Sequence, residues 1–199
     1  MKKIMFNDQY ALTDAVLEGK KTQEIILCKE QVWSHSDIIN AENGIFHFER
    51  PKYEIGEVIA VAQSYKDCGG FMDDGTPRWN YISQIVGNKN GGWSNKMLVR
   101  PELMPHQIRV KRLSIQRLKD ISDEDCLAEG VVVVESKLVG GVKSYYPCEY
   151  LQLLAKEVGW GRVFDTPREA YATLIDETRG KGTWENNPYV WVYDFELIK

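Results

Sequence analysis

The sequence has no hydrophobic run long enough to cross a membrane and no closely spaced pair of cysteines. Its apolar segments fall well short of the ~18 residues that a transmembrane helix needs, so no membrane contact is expected. The start of the chain turns polar after Phe6 and does not resemble a signal peptide. Scattered thiols at Cys28, Cys68, Cys126 and Cys148 are typical of a reducing compartment. We therefore expect a cytoplasmic protein.

Catalytic and cofactor-binding signatures of fixed spacing are also absent. The chain contains no GxSxG, no HExxH and no dinucleotide fingerprint, and the stretch RGKGTW lacks the strand-to-helix context of a P-loop. The three histidines, His35, His47 and His106, have no cysteine or carboxylate beside them at ligand spacing. We expect neither a cofactor nor a metal ion.

The composition is that of a globular protein. The 199 residues are 43% hydrophobic and 11% aromatic, which favours one domain over the whole of 1–199 with a sizeable core. Insertions are predicted at about 29–52 and 66–96, and a helical addition at about 147–177. A net charge of −4 excludes a uniformly basic nucleic-acid binder but leaves room for a local basic patch.

The order of predicted elements favours the α+β class. Alternating apolar residues predict strands at about 23–28, 44–50, 57–64, 106–118 and 188–198, and a hairpin at 131–146. Helical spacing and caps predict helices at about 8–18, 121–130, 147–159 and 166–177, with Ser122 as N-cap and Asp125 at the capping-box position of the second. The strand at 106–118 changes its apolar parity near Arg112, which predicts a bulge. Because strands and helices do not alternate regularly, we expect a small, mostly antiparallel β-barrel or a curled sheet with peripheral helices. The glycine-rich segment 66–96 predicts a long inserted loop.

Four stretches in order resemble the ASCH domain, a relative of the PUA fold. They are LEGKKT (17–22), YEIGEVIAVAQS (53–64), IRVKRLSIQRLKDISDEDCLAEG (108–130) and NPYVWVYDFEL (187–197). Together they extend over nearly the whole chain, and the larger phage- and prophage-type members look most similar. The resemblance implies a PUA-like β-barrel with a cleft for RNA or a modified nucleoside.

Some small bacterial ASCH proteins are amidohydrolases that act on N4-acetylcytidine, and the resemblance carries part of their site to this chain. It implies Lys21 and Glu129 as catalytic residues. The family's threonine position holds Glu24 here, and the arginine expected one or two residues later is replaced by Ile25 and Ile26. Because Glu24 offers no hydroxyl and would hold Lys21 protonated, the catalytic pattern is only partly kept.

Further residues are candidates for ligand binding. Thr22 and Glu24 lie beside Lys21, and a basic segment from Lys96 to Lys119 has seven basic residues against one acid, which suits phosphates. The candidates from that segment and from the glycine-rich loops are Arg109, Lys111, Trp79, Trp93 and Trp184. The alternatives remain open: a solvated Lys–Glu strand entrance, a charged outer sheet face, and tryptophans that cover the end of the barrel.

Three functions follow from these observations. The first is binding of a nucleic acid or a modified nucleoside in the cleft. The second is amidohydrolysis of an N4-acylated cytidine-type substrate. The third is a phage or mobile-element accessory protein that binds another protein, which the extra helices at 147–177 favour.

Overall fold

The computed structural model describes residues 1–28, 50–69, 72, 74–87, 91–136, 142–159 and 161–198. Its main sheet has five strands, which are β1 (Lys2–Ile4), β2 (Gln23–Leu27), β3 (Val58–Val61), β4 (Gln107–Arg117) and β7 (Tyr189–Leu197). Their order is β1–β3–β4–β7–β2, and every pair is antiparallel except β1 with β3. The C-terminal strand therefore has a neighbour on both sides, as its apolar, β-prone composition predicts.

The remaining elements surround this sheet. A separate antiparallel hairpin is formed by β5 (Val132–Ser136) and β6 (Val142–Tyr146). The helices are α1 (Leu12–Leu17), α2 (Arg78–Val86), α3 (Asp123–Ala128), α4 (Glu149–Val158), α5 (Pro167–Arg179) and α6 (Thr183–Asn186). Short 3-10 turns lie at Asp8–Tyr10, Tyr65–Asp67, Gly91–Trp93, Lys96–Leu98, Pro101–Leu103 and Leu118–Asp120. No helix in these ranges is long and apolar enough to cross a membrane.

Helix α5 is part of the main core, although the sequence suggested an addition that the sheet does not need. Ala170, Tyr171, Leu174 and Ile175 recur at helical spacing and are at most 3% exposed. They belong to the same cluster as the buried side chains of β2 and β7. By contrast, α4 keeps several apolar side chains exposed. The protein-binding role suggested for this region stays a prediction.

The bulge in β4 lies where the change of parity predicts it. The pairing of β4 with β7 shifts between Val110 and Arg112, so that Lys111 is the additional residue. Before the bulge, Ile108 and Val110 are buried; after it, Arg112 lies opposite Asp194. The extra residue thus shifts by one position which side chains of β4 face inward, so the residues before and after the bulge follow different alternations.

Several predictions need correction. The described sheet ends at β1 and β2 and does not close into the barrel that was expected. Segment 66–96 is not one long loop, since its described parts contain α2 and short helical turns. The helix predicted at 8–18 is broken at Ala11, whose φ of +55° ends a 3-10 turn before α1 begins. The hairpin turn at 137–141 and most of the strand at 44–50 lie outside the described residues.

A complete capping box fixes the start of α3. Asp125 N donates to Ser122 Oγ at 3.0 Å, and the Asp125 carboxylate accepts from Ser122 N at 3.4 Å. The other carboxylate oxygen of Asp125 accepts from Gln23 Nε2 at 3.0 Å. The box therefore also ties α3 to β2.

We expect Ser122→Ala to lower the free energy of unfolding by about 1 kcal/mol, because the amide of Asp125 loses its acceptor. Urea unfolding of the purified protein measures this loss. Ser122→Asp is the matched control, since a carboxylate accepts the same hydrogen bond, and it should stay close to wild type. Equal stability of all three proteins would contradict a stabilising cap.

Candidate ligand-binding pocket

The turn after α1 separates two adjacent lysines. Gly19 adopts a φ of +72°, and the backbone N–H groups of Lys20 and Lys21 both donate to Ala15 O, at 2.8 and 2.9 Å. Lys20 is exposed and pairs with Glu149 at the surface. The Lys21 side chain is 1% exposed and enters the interior. Only the second lysine of the GKKT motif is therefore available to an internal site.

The Glu129 side chain reaches Lys21 from the C-terminal end of α3. It caps the C-terminus of α3, and Gly130 follows with a φ of +109° that favours glycine. A Cβ at position 130 would lie 3.4 Å from Leu12 Cδ2 and 3.9 Å from Lys21 side-chain atoms. The glycine thus lets the chain turn tightly against α1 and Lys21 while the Glu129 carboxylate, 6% exposed, points inward.

Four charged side chains meet here. Lys21 Nζ lies 2.7 Å from Glu129 Oε2, 3.0 Å from Glu129 O and 3.1 Å from Glu24 Oε2. The guanidinium of Arg179, at the end of α5, pairs with the other oxygen of Glu24 and donates to Ile25 O at 2.9 Å. When all four groups are ionised, the two positive and two negative charges cancel. This cluster consists of Lys21, Glu24, Glu129 and Arg179, and we call it the charge cluster.

The charge cluster borders a cavity of about 260 Å³. Apolar side chains line it where β1 runs into α1 and where α5 crosses: Met5, Phe6, Leu12, Leu174 and Ile175. The rest of the lining is polar and consists of Asn7, Glu24, Glu129, Tyr171, Thr178 and Arg179. A concave surface that combines apolar side chains with convergent polar groups is the usual form of a small-molecule site.

Two buried polar atoms at this cavity have no hydrogen-bond partner within the described chain. They are Glu129 Oε1 and the Tyr171 hydroxyl. Buried polar atoms are nearly always hydrogen-bonded, because leaving one unpaired costs about 1–3 kcal/mol. Tyr171 is only 1% exposed, so bulk water does not reach its hydroxyl directly. Because both side chains line the cavity, a ligand bound there is a candidate partner for each atom.

The electrostatics assign protonation states to these groups. Burial lowers the pKa of Lys21, but the charges of Glu129 and Glu24 outweigh it and the pKa ends above its ordinary value. Lys21 is therefore protonated and is not available as a base. Burial raises the pKa of Glu129 to about 7, with Lys21 opposing the shift and Glu24 adding to it. Burial also raises the pKa of Tyr171 well above its usual range, so this hydroxyl keeps its proton.

The other predicted site residues lie away from the cavity wall. The Thr22 side chain is exposed, while its backbone bonds to Ala128 O and Phe195 N. Arg109 and Lys111 are on the exposed side of β4, where both approach Glu196 at 3.4 Å. They form the charged outer sheet face that was the alternative interpretation.

The three tryptophans have separate surroundings. Trp79 is 47% exposed on α2, and Trp93 packs against a second, smaller cluster of buried residues. Trp184 makes an edge contact with the ring of Tyr171, with centroids 6.3 Å apart. Trp184 thus packs against Tyr171, which lines the cavity, and does not line this cavity itself.

Most of the predicted basic segment is already paired. Besides Arg109 and Lys111, partners are seen for Lys96 (Asp8), Arg112 (Asp194), Arg117 (the Tyr189 ring) and Lys119 (Glu185). The described residues contain no group of three His, Cys, Asp or Glu side chains that could hold a metal ion.

Sequence reasoning missed Tyr171 and Arg179. Tyr171 shares its helical spacing with Leu174 and Ile175, a pattern that indicates core packing and gives no sign of a ligand contact. Arg179 opens the stretch RGKGTW, a flexible basic turn that lacks the strand-to-helix context of a P-loop. One signal was present: the arginine expected after GKKT is missing, and Arg179 places a guanidinium on Glu24 and on the backbone of Ile25, which are 155 and 154 residues away in the chain.

The comparisons with known proteins are sparse. No protein-family model matches the chain, and no curated protein does. A crystal structure of an ASCH domain from Lactobacillus crispatus aligns at 11% identity and a TM-score of 0.34, over 96% of this chain and 72% of that chain. A protein of the family DUF984 from Enterococcus faecalis aligns at 12% identity and a TM-score of 0.41, over 100% and 80%. The first agrees with the resemblance seen in the motifs; at these scores neither carries an argument about function.

The raised pKa of Glu129 makes stability depend on pH. The folded chain keeps a proton that the unfolded chain releases above about 4.5, so this group's contribution to the free energy of unfolding falls as the pH rises from about 4.5 to 7. We expect the wild type to lose on the order of 3 kcal/mol relative to Glu129→Gln across that window. Urea unfolding at about pH 5 and about pH 8 measures the difference.

The exposed Glu124→Gln, in the same helix, is the control and should follow the wild type at both pH values. If the difference between wild type and Glu129→Gln did not change with pH, the burial of an ionisable Glu129 would be contradicted.

Proposed function

We propose that the protein binds a nucleobase, as part of a modified nucleoside or of an unpaired nucleotide, in the cavity beside the charge cluster. The observation that carries this proposal is a pair of buried, unpartnered polar atoms, Glu129 Oε1 and the Tyr171 hydroxyl, on two side chains that line the same small cavity. A base is planar and apolar on its faces, and it carries donors and acceptors on its edges. The resemblance to the ASCH domain supports the same ligand class.

The distribution of positive charge favours recognition of a base over recognition of a long phosphate backbone. Proteins that hold nucleic acid through its phosphates present unpaired Lys and Arg side chains along a groove. Here Arg109, Lys111 and Arg112 are engaged with Glu196 and Asp194. Binding should therefore depend only weakly on salt.

We expect nucleosides to bind to the wild type and Glu129→Gln to weaken that binding about tenfold or more, because a carboxylate acceptor at the cavity is lost. Calorimetric titration with a panel of nucleosides and short single-stranded RNA measures the affinity. Glu196→Gln removes a carboxylate outside the cavity and should bind as the wild type does. Failure of every nucleoside and oligomer to bind would end the proposal.

A second candidate function is hydrolysis of an N4-acylated cytidine, and a specific feature favours it. Glu129 has a pKa of about 7 and one oxygen without a partner, which suits a general acid and base at neutral pH. Its carboxylate takes a proton from water as the water oxygen attacks the acyl carbonyl, and returns a proton to the leaving amine, giving a carboxylic acid and cytidine. Protonated Lys21 stabilises the ionised carboxylate before the first step and after the second, when Glu129 has no proton.

This candidate predicts release of acetate and cytidine from N4-acetylcytidine, measured by chromatography. Lys21→Ala should lower the rate at least a hundredfold, because the cation that stabilises Glu129 is lost. Lys20→Ala changes the adjacent, exposed lysine and is the matched control. No turnover by the wild type, or equal turnover after Lys21→Ala, would exclude the hydrolase.

A further inference from the structure

The two atoms without partners differ in what they can do. Tyr171 keeps its proton, since burial holds the pKa of the hydroxyl well above its usual range, and the hydroxyl of this cavity-lining residue has no partner within the described chain. Its hydroxyl is therefore a donor to whatever occupies the pocket. Helix α5 holds the ring in place, and the edge contact with Trp184 supports it from outside.

Glu129 supplies the complementary acceptor. Its Oε2 atom is held by Lys21 Nζ at 2.7 Å, which fixes the carboxylate and leaves Oε1 without a partner on a residue that lines the cavity. Above its pKa of about 7 the carboxylate is ionised, and its oxygens then accept and do not donate. Two side chains on different elements therefore place one donor and one acceptor on the same wall.

The charge cluster limits the charge of the ligand. Lys21 and Arg179 already balance Glu24 and Glu129, with contacts of 2.7 Å and 3.1 Å from Lys21 Nζ to the two carboxylates. A phosphate or carboxylate in the cavity would lie beside two buried carboxylates, and both cations of the cluster are already paired with those carboxylates. No new ion pair would compensate for the desolvation free energy of the bound anion. A ligand without net charge keeps the balance.

We propose that Tyr171 and Glu129 together read the edge of a neutral ring that carries a hydrogen-bond acceptor next to an N–H donor. The Tyr171 hydroxyl donates to the ring carbonyl or ring nitrogen, and Glu129 Oε1 accepts from the neighbouring N–H. Uracil offers this pair as O4 and N3–H, and cytosine offers it as N3 and the N4 amino group. The inference rests on the proposed function and adds to it the part of the base that is recognised.

Methylated nucleosides test this recognition directly. We expect the wild type to bind uridine at least tenfold more tightly than 3-methyluridine, or cytidine at least tenfold more tightly than N4,N4-dimethylcytidine, because the methyl groups remove the N–H that Glu129 accepts. Tyr171→Phe removes only the hydroxyl and should weaken binding of the preferred unmethylated nucleoside about fivefold to tenfold. Calorimetric titration and thermal unfolding are carried out on the same samples.

Tyr10→Phe is the matched control, because Tyr10 is also buried but its hydroxyl donates to Glu177 and does not line the cavity. It should leave nucleoside affinity unchanged. If nucleosides bind but neither methylation nor Tyr171→Phe changes the affinity, the edge recognition is wrong while the proposed function stands. If no nucleoside binds, the proposed function and the inference both fail. Tight binding of inorganic phosphate to the cavity would contradict the neutral ligand.

Discussion

The contact between Lys21 and its two carboxylates is the interaction on which the rest of the pocket depends. An ammonium group that is 1% exposed is stable only if its lost hydration is replaced by close, well-directed partners. Glu129 and Glu24 provide them, and Arg179 in turn neutralises the second of these carboxylates. These contacts link the turn after α1, the strand β2, the end of α3 and the end of α5.

The same constraint determines the chemistry that the pocket offers. With Lys21 held protonated by two carboxylates, the group that can exchange a proton near neutral pH is Glu129. Glu24 contributes to this difference, because its charge helps to keep Lys21 protonated and also raises the pKa of Glu129.

Features that depend on neighbouring residues were predicted from the sequence better than contacts between residues far apart in the chain. The capping box at Ser122, the bulge near Arg112 and the central place of the C-terminal strand each depend on a few neighbouring residues, and the structure contains all three. The burial of Lys21 beside Glu129 was anticipated only through resemblance to a family, because 108 residues separate them. Nothing in the spacing of Arg179 indicates a partner in β2, since such a contact is decided by how a helix crosses a sheet. Barrel closure was expected both from the order of the predicted elements and from the same resemblance, and it is not seen in the described sheet.

The pocket is assembled from segments that are far apart in the chain. Two of its ion pairs join residues 108 and 155 positions apart, and such contacts form only after large loops have closed. Opening of α5 would separate Arg179 from Glu24 and remove part of the cavity lining. A small molecule that occupies the cavity therefore binds the chain with α5 in place. By mass action, such a ligand would raise the free energy of unfolding of the whole protein, and with it the resistance to heat, denaturant and proteases.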